Sequence, residues 1–325
     1  MSVFEIQPVV GQQSHHGAAF PLLLTPAHAG ASVADLIGQP LGLTDLLSRH
    51  GALVFRDWSV GCDSEFDQFV TAFGFDNFAY RESLSNAVRR NRTPRVFTAN
   101  EAPAEIEIFL HHEMAQTPRF PSHLFFFCEK TSEDGGATPL CRSDVLLKKL
   151  QKRLPEFGKR CRQRGGRYTL TMPGTADQSS GQGRSWRETL NVSAPEQAEH
   201  RLASLGYRWQ WLSEDCLRVT TPTLPLVRKT PNGEEVFFNQ LIAAFCGWQD
   251  QRNNRTRSVT YGDGTDFDES DLQAAVETAY DSVYDHEWKT GDIALIDNYR
   301  VMHGRRPFAG QRSVLASLCE MVGEH

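Results

Sequence analysis

The 325-residue chain contains no apolar run approaching the ~18 to 20 residues that a membrane-spanning helix takes. Its opening, MSVFEIQPVVGQQSHHG, lacks a basic stretch, and the nearest apolar run, Phe20 to Leu24, is too short for a signal peptide. A surplus of positive charge is missing as well. Lys and Arg number 34 against 40 Asp and Glu, a formal net charge of −6. That balance argues against nucleic acid or an anionic membrane as a partner. The seven cysteines (Cys62, Cys128, Cys141, Cys161, Cys216, Cys246 and Cys319) are scattered and never form CxxC. They make neither a disulfide framework nor a zinc pattern, so reduced thiols in a cytoplasmic protein are expected. Internal repeats and long low-complexity tracts are absent too.

What is present is an ordinary globular composition, 40% hydrophobic and 23% charged, in a chain long enough to bury a sizeable core. SVADLIGQPLGLTDLLSRHG reads as helical pieces stopped at Gly51, and ALVFRDW as a strand. DSEFDQFVTAFGF has helical spacing of Phe66, Phe69, Val70 and Phe73. SHLFFFCEK reads as a buried strand, and EDGGATPL as a tight turn leading into another. SDVLLKKLQKRLPEFGKRC is an amphipathic helix with Val145, Leu146, Leu150 and Leu154 on one side. Residues 173–190 are rich in Gly, Ser and Gln and read as an irregular loop. EEVFFNQLIAAF, GDIALIDNYRVMHGRRPF and RSVLASLCEMV return to strand character. Strands in the middle and at the end, with helices before and between, give a mainly β core with helical decoration rather than an alternating βαβ pattern. One domain over residues 1–325 is expected, with a helical and loop insertion over residues 150–235 that is placed to act as a lid.

LHHEMAQTPRFPSHLFFFCEK, residues 110–130, sets two histidines and a glutamate ahead of an apolar run. In extended chain, positions i and i+2 project to one side, so His111 and Glu113 converge while His112 points away. A surface turn entering a strand is the plain reading; half of a metal site is the other. The second half is IDNYRVMHGRRPFAGQRSVLASL, where His303 follows a strand-like run and Arg312 enters the next strand. Two imidazoles and one carboxylate on one face of a metal leave positions open for reactants. A buried arginine wants a planar carboxylate partner. Taken singly, His303 reads sooner as a satisfied strand-end histidine and Arg312 as a surface cation beside a turn.

HHEMAQ, GGATPL and DNYRVMHGRRPFAGQR, in that order, resemble the iron(II)- and 2-oxoglutarate-dependent TauD/TfdA dioxygenase family, and most nearly its clavaminate-synthase-like branch. The resemblance runs from about residue 40 to the end and includes GRSWRETL and FCGWQDQRNNRTRSVTYGDG. It implies a jelly-roll, or double-stranded β-helix, core with flanking helices. The long stretch between His111 and His303 suits an insertion between core strands. It implies His111, Glu113 and His303 as the iron(II) ligands, and Thr138 and Arg312 as the residues that hold the distal carboxylate of 2-oxoglutarate, with O2 as oxidant. Related halogenases vacate the carboxylate position; Glu113 fills it, so oxygen insertion is expected instead. The taurine enzyme carries a second arginine four residues beyond the one matching Arg312, to hold a sulfonate. Ala316 stands there, so a sulfonate bound in that manner is not expected.

The activity so implied is hydroxylation, epoxidation or desaturation of a small amino-acid-like molecule, free or tethered to a carrier protein, in natural-product or antibiotic biosynthesis. Arg184, Trp186 and Arg187, in the irregular loop, and Asn239, at a strand end, are the candidate substrate contacts. A cupin-type metal hydrolase or isomerase and a non-catalytic ligand-sensing barrel are the competing readings. Thr138 and Arg312 discriminate, since neither alternative needs a 2-oxoglutarate clamp.

Overall fold

The longest strand, Phe120–Lys130, shows why the fold has a core on both sides of one sheet. Successive side chains of a strand point to opposite faces. Phe120, Leu124, Phe126 and Cys128 enter one apolar cluster, and Phe125 and Phe127 enter another. The computed structural model describes residues 3–37, 42–180, 182–248, 250–254 and 257–323. In it this strand lies between Ile293–Asp297 and Ser313–Val322, both antiparallel to it. Leu124 stands opposite Ile296 on one side and Leu318 on the other. Ala52–Phe55, Leu22–Pro26 and Phe4–Gln7 extend the sheet one way and Phe97–Thr98 the other, giving seven strands.

A second, four-stranded sheet has the order Val283–His286, Thr138–Arg142, Val301–Arg305, Ile108–His111. The Phe126 ring of the first sheet lies 5.2 Å from the His303 ring of the second, and Leu140, Val301, Ala294 and Ile296 share the cluster between them. On the far face of the large sheet, helix Asp63–Ala72 buries Phe66, Phe69 and Val70, with Phe66 stacked on Phe127 at 5.2 Å. Strands dominate a mixed architecture.

Several expected elements differ in detail. The amphipathic segment from Ser143 is broken by Pro155, which cannot continue a helix, into Ser143–Arg153 and Pro155–Arg164. The stretch 32–51 resolves into helices Val33–Ile37 and Leu43–His50; residues 38–41 lie outside the described residues. The 150–235 region is not only helix and loop. Gly166–Met172, Arg208–Trp211 and Leu217–Thr220 form an antiparallel sheet with Val259–Tyr261. EEVFFNQLIAAF is a strand only over Glu235–Val236 and becomes helix Leu241–Gly247. Its apolar run carried no period, and its Ala pair favours helix. None of the seven cysteines forms a disulfide. Among the described residues, no helix is long and apolar enough to cross a membrane.

Burial pushes the His111 and His286 imidazoles down to about 4 and His112 to about 3. An unfolded chain takes up these protons near pH 6.5. Acid therefore favours the unfolded state, and stability falls as pH drops from 6.5 toward 4, by at most ~3 kcal/mol for each histidine. Urea midpoints of the metal-free protein should be flat above pH 7 and fall steeply between pH 6.5 and 4. A midpoint independent of pH across that window would contradict the burial of neutral imidazoles.

Candidate metal centre

His111 ends strand Ile108–His111 and stands directly opposite His303 in strand Val301–Arg305. The two rings lie 4.4 Å apart, centroid to centroid. The register shifts between His303 and Arg305, where a Cβ on Gly304 would lie 2.3 Å from the Ile108 carbonyl. Only glycine lets the strands close here. Glu113 follows two residues after the strand, and its Oε2 reaches to 3.7 Å from His303 Nε2. One ligand atom from each of His111, Glu113 and His303 falls within 4.8 Å of the others.

Asn298, in the turn before His303, fastens this arrangement. Its side chain accepts from the Glu113 N–H at 2.8 Å and donates to the carbonyls of Glu113 and Pro121. His112 Nδ1 lies 2.5 Å from the Asn298 carbonyl, and its ring packs on Phe238 at 4.6 Å. It thus points away from the cluster, as the period-two reading requires.

The donor set fits a divalent transition metal. His111 Nδ1 lies 2.8 Å from the Phe109 carbonyl, so it carries the proton and leaves Nε2 with a lone pair. With burial, and His303 alongside, holding the His111 imidazole near 4, it is neutral at neutral pH. Burial alone would raise the Glu113 carboxyl, but Arg89 and the two histidines outweigh it and hold it well below the usual carboxylate range. Arg89 Nη2 donates to Glu113 Oε2 at 2.9 Å, both side chains buried. Two nitrogens and one oxygen, on one side of an open cavity of about 780 Å³, match the set suited to iron(II).

Thr138 and Arg312 line the same cavity. Thr138 Oγ1 accepts from the Trp288 indole N–H at 2.9 Å, which leaves its own proton to donate. Arg312 Nε donates to the Gly136 carbonyl at 3.1 Å. Among the described residues, its Nη1 and Nη2 have no hydrogen-bond or ion-pair partner. Burial lowers the Arg312 guanidinium to about 10, so it stays cationic at neutral pH. Gly136 has φ +76°, and a Cβ there would lie 3.0 Å from Arg312 Cδ, so the GG turn makes room for the arginine.

The four candidate substrate residues lie elsewhere. Arg184 is buried and donates to the carbonyls of Ser83, Ser85 and Glu188. Trp186 packs edge-on against Trp211, and its N–H donates to the Asp215 carbonyl. Arg187 pairs with Asp215 at 2.6 Å near the surface. Asn239 bridges the Leu226 carbonyl and the Leu241 N–H. None lines the cavity; each has a structural partner that holds it away. The loop reaches the cavity through Gln182 instead. Arg89, Trp288 and Asn298 are site residues that the sequence reading missed. Trp288→Phe should weaken 2-oxoglutarate binding about three- to tenfold, the worth of one neutral hydrogen bond, with iron(II) affinity unchanged. An anaerobic co-substrate titration checks this, and an unchanged affinity would show that Thr138 needs no such orientation.

Comparison with known proteins follows the same line. Residues 24–319 match the family model "Taurine catabolism dioxygenase TauD, TfdA family". A clavaminate synthase-like protein of Arabidopsis thaliana is 34% identical over 323 residues, 96% of this chain and 97% of that protein. The dapdiamide synthesis protein DdaC of Enterobacter agglomerans is 26% identical over 335 residues, covering 98% and 95%. In fold, the crystal structure of PvcB from Pseudomonas aeruginosa superposes with a TM-score of 0.58 at 17% identity, covering 98% of this chain and 91% of that one. The chain belongs to the TauD/TfdA family, on its clavaminate-synthase-like side, and is a dioxygenase that uses iron(II), 2-oxoglutarate and O2.

Proposed function

We propose that His111, Glu113 and His303 bind the iron(II), and that Thr138 and Arg312 hold the distal carboxylate of 2-oxoglutarate. On this reading the two packed sheets are the halves of a jelly-roll, and the whole chain is one catalytic domain. The observation that carries the proposal is convergence. Three metal-type ligands and an arginine with a free guanidinium end, drawn from across the chain, line one cavity. When bound, iron and co-substrate supply the oxidising power, as O2 is reduced while 2-oxoglutarate loses carbon dioxide to give succinate and the substrate is oxidised.

The protein's own contribution is positional. The Phe109 carbonyl fixes the His111 tautomer, Asn298 fixes the Glu113 backbone, and Arg89 orients the carboxylate. Arg312 and Thr138 offer a charged donor and a hydroxyl donor to one carboxylate, a pairing that is selective in geometry as well as charge. Phe126 and Val314 give the cavity apolar wall, which keeps water from competing with these contacts.

The substrate in this reading is a small amino-acid-like molecule, free or carried on a partner protein, and the reaction is a hydroxylation, epoxidation or desaturation in a natural-product pathway, within a cytoplasmic enzyme. The likeness to a dapdiamide synthesis protein supports the pathway class. The test is oxygen- and iron(II)-dependent succinate formation from 2-oxoglutarate, run against a panel of amino acids and amino-acid amides. A protein that neither binds 2-oxoglutarate in an iron-dependent way nor turns it into succinate would end this reading.

A further inference from the structure

Beside the metal cavity lies a second, smaller pocket, and Asn86, Gln116 and Trp248 wall both. The two chambers differ in chemistry. The second has a largely apolar wall that includes Leu84, Leu170, Met172, Leu190 and Val219, with the hydroxyl-bearing Thr117, Thr189 and Thr221 among its other lining residues. They come from the Gly166–Met172 and Leu217–Thr220 strands, from helix Trp186–Leu190, and from the segment following Tyr80–Glu82. The added sheet and the helix packed on it thus build a pocket that the ligand cluster and the co-substrate clamp do not need.

In the wall of the metal cavity, at Arg89, and at the shared boundary, at Asn86 and Gln116, stand polar groups that have no partner among the described residues. Arg89 Nε and Nη1, Asn86 Nδ2 and Gln116 Oε1 are buried and unsatisfied. A buried donor left unpaired is costly, so such a group in a native wall points to a ligand that completes it. Arg89 is held in place by Glu113 on one edge and by the faces of Tyr80 and Phe97, at 5.0 and 5.3 Å. Its other donors are therefore presented from a rigid mount.

Charge gives a second, independent argument. Among the described residues, the metal cavity is walled by three cations, Arg89, Arg305 and Arg312, and one anion, Glu113, a balance of 3 − 1 = +2. Iron(II) and doubly charged 2-oxoglutarate add nothing net. The surplus remains for the substrate to meet.

We propose that the primary substrate is an apolar carboxylic acid, an amino acid or an amino-acid derivative with its carboxylate free, whose carboxylate binds Arg89 and Asn86 and whose hydrocarbon part fills the second chamber. This rests on the oxygenase reading above, since it takes the first cavity as the place of oxidation. In that arrangement the carbon between carboxylate and side chain is the part nearest the ligand cluster.

The test uses the zinc-substituted protein saturated with 2-oxoglutarate, where nothing turns over, and isothermal titration with four probes. L-norleucine and hexanoate carry both features, pentylamine lacks the carboxylate, and L-alanine lacks the hydrocarbon chain. Norleucine and hexanoate should bind at least tenfold more tightly than pentylamine or alanine, the worth of a charge-assisted contact or of a buried chain. Val219→Phe should weaken norleucine at least tenfold and leave alanine unchanged, a selectivity that general damage would not produce. Arg89→Gln should abolish the preference for hexanoate over pentylamine.

Pentylamine binding as tightly as hexanoate would overturn the proposal. So would a folded Val219→Phe protein with unchanged norleucine affinity, or no binding of either acid at on the order of 10 mM. The parent and Val219→Phe samples, in which the ligand residues and Arg89 are intact, also report zinc and 2-oxoglutarate uptake. Loss of those would bring down the oxygenase reading, whereas their retention without a carboxylate preference removes this inference alone.

Discussion

His303→Ala protein should form no succinate above the iron-only background and should bind iron(II) at least a hundredfold more weakly than the parent. The expectation follows from the register. His303 faces His111 across two paired strands, and without it the metal would keep only one imidazole and one carboxylate, both from the single segment 111–113. Loss of an outer partner of a ligand commonly costs about 10- to 100-fold in affinity, so loss of a ligand should cost more. The fold should survive, because the His303 ring is buried with an unpaired Nδ1 and its removal strands no hydrogen bond at that atom. Anaerobic iron(II) titration beside a far-ultraviolet circular dichroism spectrum separates the two effects. Retained turnover in a folded His303→Ala protein would remove His303 from the ligand set.

Arg312→Lys should raise the 2-oxoglutarate requirement by about two orders of magnitude while iron(II) binding stays near normal. A guanidinium offers two parallel donors to a carboxylate, and an ammonium on a shorter, flexible stem cannot copy that geometry. Here the arginine is also pre-positioned, since Nε is bound to the Gly136 carbonyl and the guanidinium lies over the Phe308 ring. Lysine would lose both supports. Thr138→Ala should weaken the co-substrate more mildly, by the 1.5 to 3 kcal/mol typical of a hydrogen bond to a charged group. The charge-transfer band that appears when 2-oxoglutarate joins iron gives the readout without oxygen present. An Arg312→Lys protein that binds as tightly as the parent would show that this arginine is not the clamp.

The readable part of the site was the part set by local geometry. His111 and Glu113 declare themselves by an i, i+2 spacing ahead of a buried strand, and His112 by falling between them. Gly135 and Gly136 mark a turn that brings the chain back toward Arg312, which a glycine pair before Thr138 announces. Arg89 gave no such sign, because what places it at the candidate site is a carboxylate 24 residues further on and two aromatic faces. Trp288 acts on a hydroxyl 150 residues away, and Asn298 on a backbone 185 residues away. No window of sequence contains those partners.

That the candidate substrate residues lie away from the cavity has a related reason. Loop composition shows that a segment is polar, not which of its side chains face inward. One local signal was available: Ser185 and Glu188 form a capping box, so SWRETL starts a helix, and Arg187 ends on its outer side.

The strand Phe120–Lys130 has a consequence for how the protein is made. Both of its neighbours are synthesised much later: Leu124 pairs with Ile296 and Leu318, 172 and 194 residues downstream. Until they emerge, a nascent chain carries an eleven-residue strand, Phe-rich and open along both edges. Unpaired apolar strands of that kind are where newly made chains associate with one another. Production should therefore yield more soluble protein when translation is slow and the temperature low, and substitutions that weaken the Ser313–Val322 strand should appear first as inclusion bodies rather than as lost turnover.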